Sequence, residues 1–248
     1  MKKLLFGLIM IGLVIGLFIG CSPTTPPIEP EPAERVVMIE LYMAIGCSNC
    51  ELVEPILEQL AEEYGNNKVV LVEEAVNWSE YTTPEVSERY DWYFTPGSAD
   101  RGIPNILFNG LNENWIHGYA NYQTIKSKID AELDKGAKIL ITLDPRNSNA
   151  NTTTISGTIE NVSSSSLNNL EINGMIFIER TEEELQYSVT DIFDEQKIEI
   201  DSLASEASLD FSFNLEGINW SGDNIHGVIL VQAPESSTKE ILQAAYVE

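Results

Sequence analysis

Two cysteines at a change of periodicity constrain this chain more than any other feature. Residues 35–43, RVVMIELYM, form an apolar run rich in Val, Ile and Leu, as a buried strand requires. From Ser48 onward Val53, Ile56, Leu57, Leu60, Ala61 and Tyr64 recur at spacings of three and four, which is helical. Cys47-Ser48-Asn49-Cys50 therefore sits on a strand-to-helix turn. Unsatisfied N–H groups and the positive end of the helix dipole favour a thiolate over a thiol at Cys47. Cys50 lies one turn further on, within disulfide reach. Glu51 and Glu54 oppose thiolate formation, so the sequence does not give the sign of the redox potential.

The flanking elements extend the pattern. Residues 68–76 read as a second strand, and 83–94 as a helix with Pro84 in its first turn. Arg101-Gly102-Ile103-Pro104 precedes a strand over 105–108, an Asn109-Gly110 turn and a strand over 115–119. An amphipathic helix over 122–135 carries Ile125, Ile129 and Leu133 on one stripe. Trp78, Tyr81, Tyr90, Trp92, Tyr93 and Phe94 crowd the approach to Pro104, as core packing or as a peptide-facing groove beside Cys47.

This order of elements, the CxxC at the first helix, Pro55 five residues after Cys50 and the Arg-Gly-Ile-Pro before the third strand are similar to thioredoxin. The resemblance implies that Pro104 is cis and packs against the disulfide. It also implies that Ile103 offers its backbone to an extended substrate peptide, making Ile103 and Pro104 the substrate-binding pair. Ser48-Asn49 replaces the Gly-Pro of thioredoxin proper, Gly46 stands where Trp is usual, and 76–100 is longer than in compact members. Glu40, seven residues before Cys47, lies near but not at the position of the family's buried acid; it is either a proton relay to Cys50 or a solvent-facing strand residue. The stretch ELYMAIGCSNC looks more like exported thioredoxin-like lipoproteins and the Omp28-related proteins, which join such a domain to a β-rich one.

The N-terminus fits export. Lys2 and Lys3 precede a 17-residue uncharged run over 4–20, ending in Phe18-Ile19-Gly20-Cys21. That ending resembles the lipobox of bacterial lipoproteins, with Phe18 in place of the usual Leu, and implies a signal peptide over 1–20 and acylation of Cys21. An uncleaved signal anchor is the alternative; both tether the protein on the outer side of a membrane. Removing residues 1–20 deletes two lysines and no acid, leaving 12 basic and 39 acidic residues, a formal charge of -27 against -25 for the whole chain. Such an acid excess argues against nucleic acid as a partner. Residues 22–34 hold five of the eleven prolines and read as an extended spacer, able to span up to about 40 Å at about 3.1 Å per residue.

From residue 138 onward the period becomes two. Strands are expected at 138–143, 152–162, 170–178, 185–192, 209–215, 226–231 and 241–247, separated by Asn, Ser and Gly turns, which suggests an immunoglobulin-like sandwich. It carries no cysteine and no catalytic constellation. Zinc finds too few ligands, since the histidines are His117 and His226; Asp144, Asp191, Asp194 and Glu195 form no twelve-residue calcium loop. Sequons at Asn77, Asn151, Asn161 and Asn219 need a glycosylating host to matter.

The sequence therefore predicts an α/β thioredoxin-like fold over 35–137 followed by an all-β immunoglobulin-like sandwich domain over 138–248, behind a signal peptide (1–20) and a lipidated Cys21 with its proline linker (21–34). The expected function is a membrane-anchored, extracytoplasmic thiol-disulfide oxidoreductase of a prokaryotic cell envelope. Cys47 and Cys50 would be catalytic, no metal or cofactor is needed, and the partners are protein or small-molecule disulfides and dithiols. The alternative is a surface adhesion or assembly module in which the thioredoxin-like domain is a non-catalytic scaffold.

Overall fold

The strand at 35–43 is apolar on both faces because it lies inside a sheet. In the computed structural model, which describes residues 33–76, 80–149, 152–180, 185–218, 220 and 224–248, β1 (Val37–Met43) is buried at all seven positions. The N-terminal run, Cys21, most of the proline spacer, Trp78 and the sequons at Asn77, Asn151 and Asn219 lie outside the described residues. β1 pairs parallel with β2 (Val69–Ala75), an arrangement that needs a crossover, supplied by α1 (Ser48–Tyr64). On its other edge β1 pairs antiparallel with β3 (Asn105–Phe108), which pairs with β4 (Ile116–His117). α2 (Pro84–Tyr93) starts with Pro84 in its first turn and the Thr83 hydroxyl accepting from the Val86 N–H; α3 (Tyr122–Leu133) is capped by Asn121.

Alternation along β1 sorts the packing. Ile39, Leu41 and Met43 meet Val53, Leu57 and Leu60 of α1 and Ile125 and Ile129 of α3. On the opposite face Tyr42 meets Tyr90, Tyr93 and Phe94, so core packing accounts for most of the described aromatics near Pro104.

The rest of the chain adds β5 (Ile139–Leu143), β6 (Asn147–Ser148), β7 (Thr152–Asn161), β8 (Leu167–Glu179), β9 (Tyr187–Ile192), β10 (Ile198–Leu203), β11 (Ser208–Glu216), β12 (Ile225–Gln232) and β13 (Ile241–Val247). These strands correct the expected fold class. The chain is mostly β, 42% strand against 19% helix with three helices among the described residues, and an α/β thioredoxin-like fold followed by a separate immunoglobulin-like sandwich is not what it forms. Instead one nine-stranded mixed sheet runs β13-β12-β8-β9-β2-β1-β3-β4, with β10 also paired to β8. A second sheet, β11-β7-β5 with β6 on β7, packs against it through Ile155, Ile159, Phe211 and Phe213 on one side and Ile172, Ile176 and Ile229 on the other.

The physical reason is the join. β2 and β9 pair in parallel through the single register Glu73↔Ser188, a contact that periodicity cannot reveal. Side chains secure the rest of the seam. Gln243 of β13 accepts from the Val36 N–H and donates to the Glu34 carbonyl. Arg35, 2% exposed, reaches the Ile241 carbonyl, Glu240 and Glu132. Asn109 closes the β3 side by accepting from the Met38 N–H through its side chain and from the Ile241 N–H through its carbonyl. Gly110 is required there, because a Cβ would stand 2.3 Å from the Lys239 carbonyl oxygen.

Candidate functional site

Cys47 and Cys50 are joined as a disulfide, with Cα atoms 5.2 Å apart. Cys47 has extended backbone and caps α1: its carbonyl accepts from the Cys50 and Glu51 N–H groups, and its Sγ accepts from the Cys50 N–H at 3.3 Å. Gly46, at φ +75°, turns the chain from β1 into this cap. Burial separates the two sulfurs. Cys50 is fully buried against the core shared by β1, α1 and α3, whereas Cys47 is partly exposed among the exposed Ile45, Gly46, Ser48 and Asn49. An attacking partner therefore reaches Cys47 first.

The Ile103-Pro104 peptide bond is cis. Ile103 packs on the same core as Cys47 and Cys50, and Pro104 is buried. The segment is held from α2: the Tyr90 hydroxyl donates to the Gly102 carbonyl at 2.8 Å, and Arg101 lies over the Tyr90 ring while pairing with Asp91 at 2.6 Å. His117 packs over Gly102 so closely that a Cβ there would stand 2.3 Å from its Cε1, and Asn105 fixes the imidazole through Nδ1 at 2.6 Å.

Glu40 is placed elsewhere. It is fully buried on the face of β1 opposite Leu41, Met43 and Cys50, where it accepts from Arg89 Nε at 2.6 Å and from the Tyr42 and Tyr93 hydroxyls. It is neither a solvent-facing residue nor brought together with Cys50, and its partner is a buried cation.

The acid on the Cys50 side is Glu73, with Glu54 and Glu58; one oxygen from each lies within 4.8 Å of the others. Glu54 accepts from the Leu185 N–H at 2.9 Å and Glu73 Oε2 from the Tyr187 N–H at 2.8 Å, while Glu73 Oε1 is buried without a hydrogen-bond partner. Burial, then the charge on Glu54, holds the Glu73 carboxyl well above the usual range, and burial with Glu54 and Glu62 pushes Glu58 up to about 7. Glu73 and Glu58 thus favour their protonated forms, and no metal is assigned to the trio. Sequence reading missed it although two signals were present: Cys50, Glu54 and Glu58 recur every four residues on one face of α1, and Glu73-Glu74 interrupts an apolar strand, sending one acid to each face.

No known family profile matches the sequence, and no curated protein matches it. Among solved structures the chain is similar to HBP35 of Porphyromonas gingivalis, with a TM-score of 0.66 at 13% identity over 86% of this chain and 75% of that one. A domain of the outer membrane lipoprotein Omp28 from the same organism aligns at 13% identity over 45% of this chain and 88% of that one, with a TM-score of 0.33. Identity this low makes the first likeness one of fold alone.

Proposed function

We propose that this protein is an extracytoplasmic thiol-disulfide oxidoreductase, held at a membrane through lipid on Cys21. The observation that carries the reading is the asymmetry of the Cys47-Cys50 pair: one sulfur caps a helix at the surface, the other is sealed beneath it. In the reduced protein the helix terminus favours a Cys47 thiolate. This thiolate attacks one sulfur of a substrate disulfide, forming a Cys47–substrate bond and releasing the other substrate sulfur as a thiolate that takes up a proton. Cys50, deprotonated, then attacks Cys47 Sγ, which breaks the mixed disulfide and releases the second substrate thiol. Two electrons pass to the substrate and the pair returns to the disulfide. Run in reverse, the same steps oxidise a dithiol. Ile103 and Pro104, held beside the core on which Cys47 rests, are the proposed peptide-binding pair.

The test is insulin-disulfide reduction with dithiothreitol, alongside alkylation of the reduced protein. Cys47 is expected to alkylate faster than Cys50, and Cys47→Ser to abolish the reduction; wild type and Cys47→Ser equally inactive would overturn the reading. Equilibration against glutathione or dithiothreitol buffers then gives the direction of electron flow. The second reading, a surface adhesion or assembly module, draws on the mostly β framework built around the dithiol end. It requires a disulfide that resists those buffers and a function that survives loss of both cysteines.

A further inference from the structure

A cavity of about 340 Å³ opens at the far end of α1, between Ala61, Glu62 and Gly65 of the helix end and strands of the C-terminal half. It lies about 20 Å along the helix axis from Cys47, so it is separate from the dithiol. Phe177, Tyr187, His226 and Tyr246 line it. Their rings form one cluster: Phe177 stands 5.6 Å from His226, 6.3 Å from Tyr246 and 6.4 Å from Tyr187, and His226 stacks on Tyr246 at 5.6 Å. Glu179 joins the wall through His226 Nε2 at 3.1 Å, and Tyr246 meets His226 Nδ1.

Three sources of negative potential converge here. Aromatic faces carry the negative part of a quadrupole. Glu62 and Glu179 add carboxylates, and neither Lys nor Arg is among the lining residues. The C-terminal carbonyls of α1 add the negative end of its dipole, with no basic residue in the last turn. Burial, followed by Glu179, pushes the Tyr187 and Tyr246 hydroxyls up to about 12, so both stay neutral.

We propose that this cavity binds an organic cation of the alkylammonium class, its head held among Phe177, Tyr187, His226 and Tyr246 with Glu62 and Glu179 as counter-charge. The head comes either from a free quaternary amine or from a lysine side chain. Calorimetric titration of the protein with choline and with Nα-acetyl-lysine methylamide separates the two sources, since the tighter of the pair names the source. Their neutral isosteres, 3,3-dimethylbutanol and Nα-acetyl-norleucine methylamide, isolate the charge. The neutral partner is expected to bind about tenfold more weakly than its cation. The double variant Glu62→Gln/Glu179→Gln is expected to weaken the cation several-fold while leaving insulin reduction and the circular dichroism unchanged, and Tyr246→Leu to weaken it as well. Equal binding of cation and isostere, no binding of either cation, or binding indifferent to both variants would overturn the proposal.

Discussion

On the α2 face of β1 and β2, Glu40 and Glu74 are buried beside Arg89, Tyr42 and Tyr93; on the α1 face, Glu73 is buried beside Glu54 and Glu58. The first face contains a cation. Arg89 spends its guanidinium on Glu40, the Tyr93 hydroxyl and Gln232 of β12, so the pair also ties α2 to the C-terminal half. The second face satisfies two carboxylates with backbone N–H groups and leaves Glu73 Oε1 without a partner among the described residues. A charge that has a buried partner is costly to orphan, whereas a buried acid without one keeps its proton. Each face keeps an acid well above the usual carboxylate range, Glu74 on the α2 face through burial and Glu40, and Glu73 on the α1 face through burial and Glu54; the α2 face alone adds an ion pair that holds position.

Breaking the ion pair should have the largest effect. Arg89→Met leaves Glu40 uncompensated and is expected to lower unfolding free energy by about 3–5 kcal/mol at neutral pH, read by urea denaturation. Arg89→Met/Glu40→Gln should recover much of the loss, because both charges are then gone. A loss that persists in the double variant would mean that Arg89 acts by packing against Trp92 and Tyr93 and not through Glu40.

A smaller break separates position from protons. Tyr90 and Arg101 of the aromatic face hold the Arg101–Pro104 segment, and Gly102 admits His117 where a Cβ would collide. Gly102→Ala should cost about 1–3 kcal/mol by overpacking against His117 and slow insulin reduction, because the neighbouring Ile103 and Pro104 are displaced. The order of alkylation, Cys47 before Cys50, should be preserved. Reversal of that order would show that the segment controls the thiols themselves.

The local half of this architecture was legible in the sequence. The strand-to-helix joint at Cys47, the helices near 84–93 and 122–133, and most of the C-terminal strands follow from periodicity and turn residues. The short β6 and β10 were missed, β10 because Ile198, Ile200 and Leu203 are broken by Asp and Ser at 201–202. The fold class failed at the β2–β9 join, where one register pair and the side chains of Glu54 and Glu73 merge what periodicity treats as two units. Glu40 differs for a related reason: its face follows from alternation with Leu41 and Met43, but the burial of that face and its partner Arg89, 49 residues away, do not show in the local pattern.

The smallest and most specific test concerns the α1 face. Glu58 is half-buried and pushed up from 4.5 to about 7 by burial and by Glu54 and Glu62, and Glu73 is displaced in the same direction. The folded protein thus retains protons that the unfolded chain releases near 4.5. The stabilisation is complete below that pH and is lost as pH rises to about 7 through Glu58, with Glu73 adding a contribution of the same sign. Glu73→Gln keeps an acceptor for the Tyr187 N–H and removes the buried carboxyl. Its expected signature is a flatter fall in unfolding free energy between pH 4.5 and 7, with stability at pH 7 equal to or above wild type. A fall as steep as wild type's would mean that Glu73 adds nothing to it, and the placing of this pH dependence on the α1 face would fail.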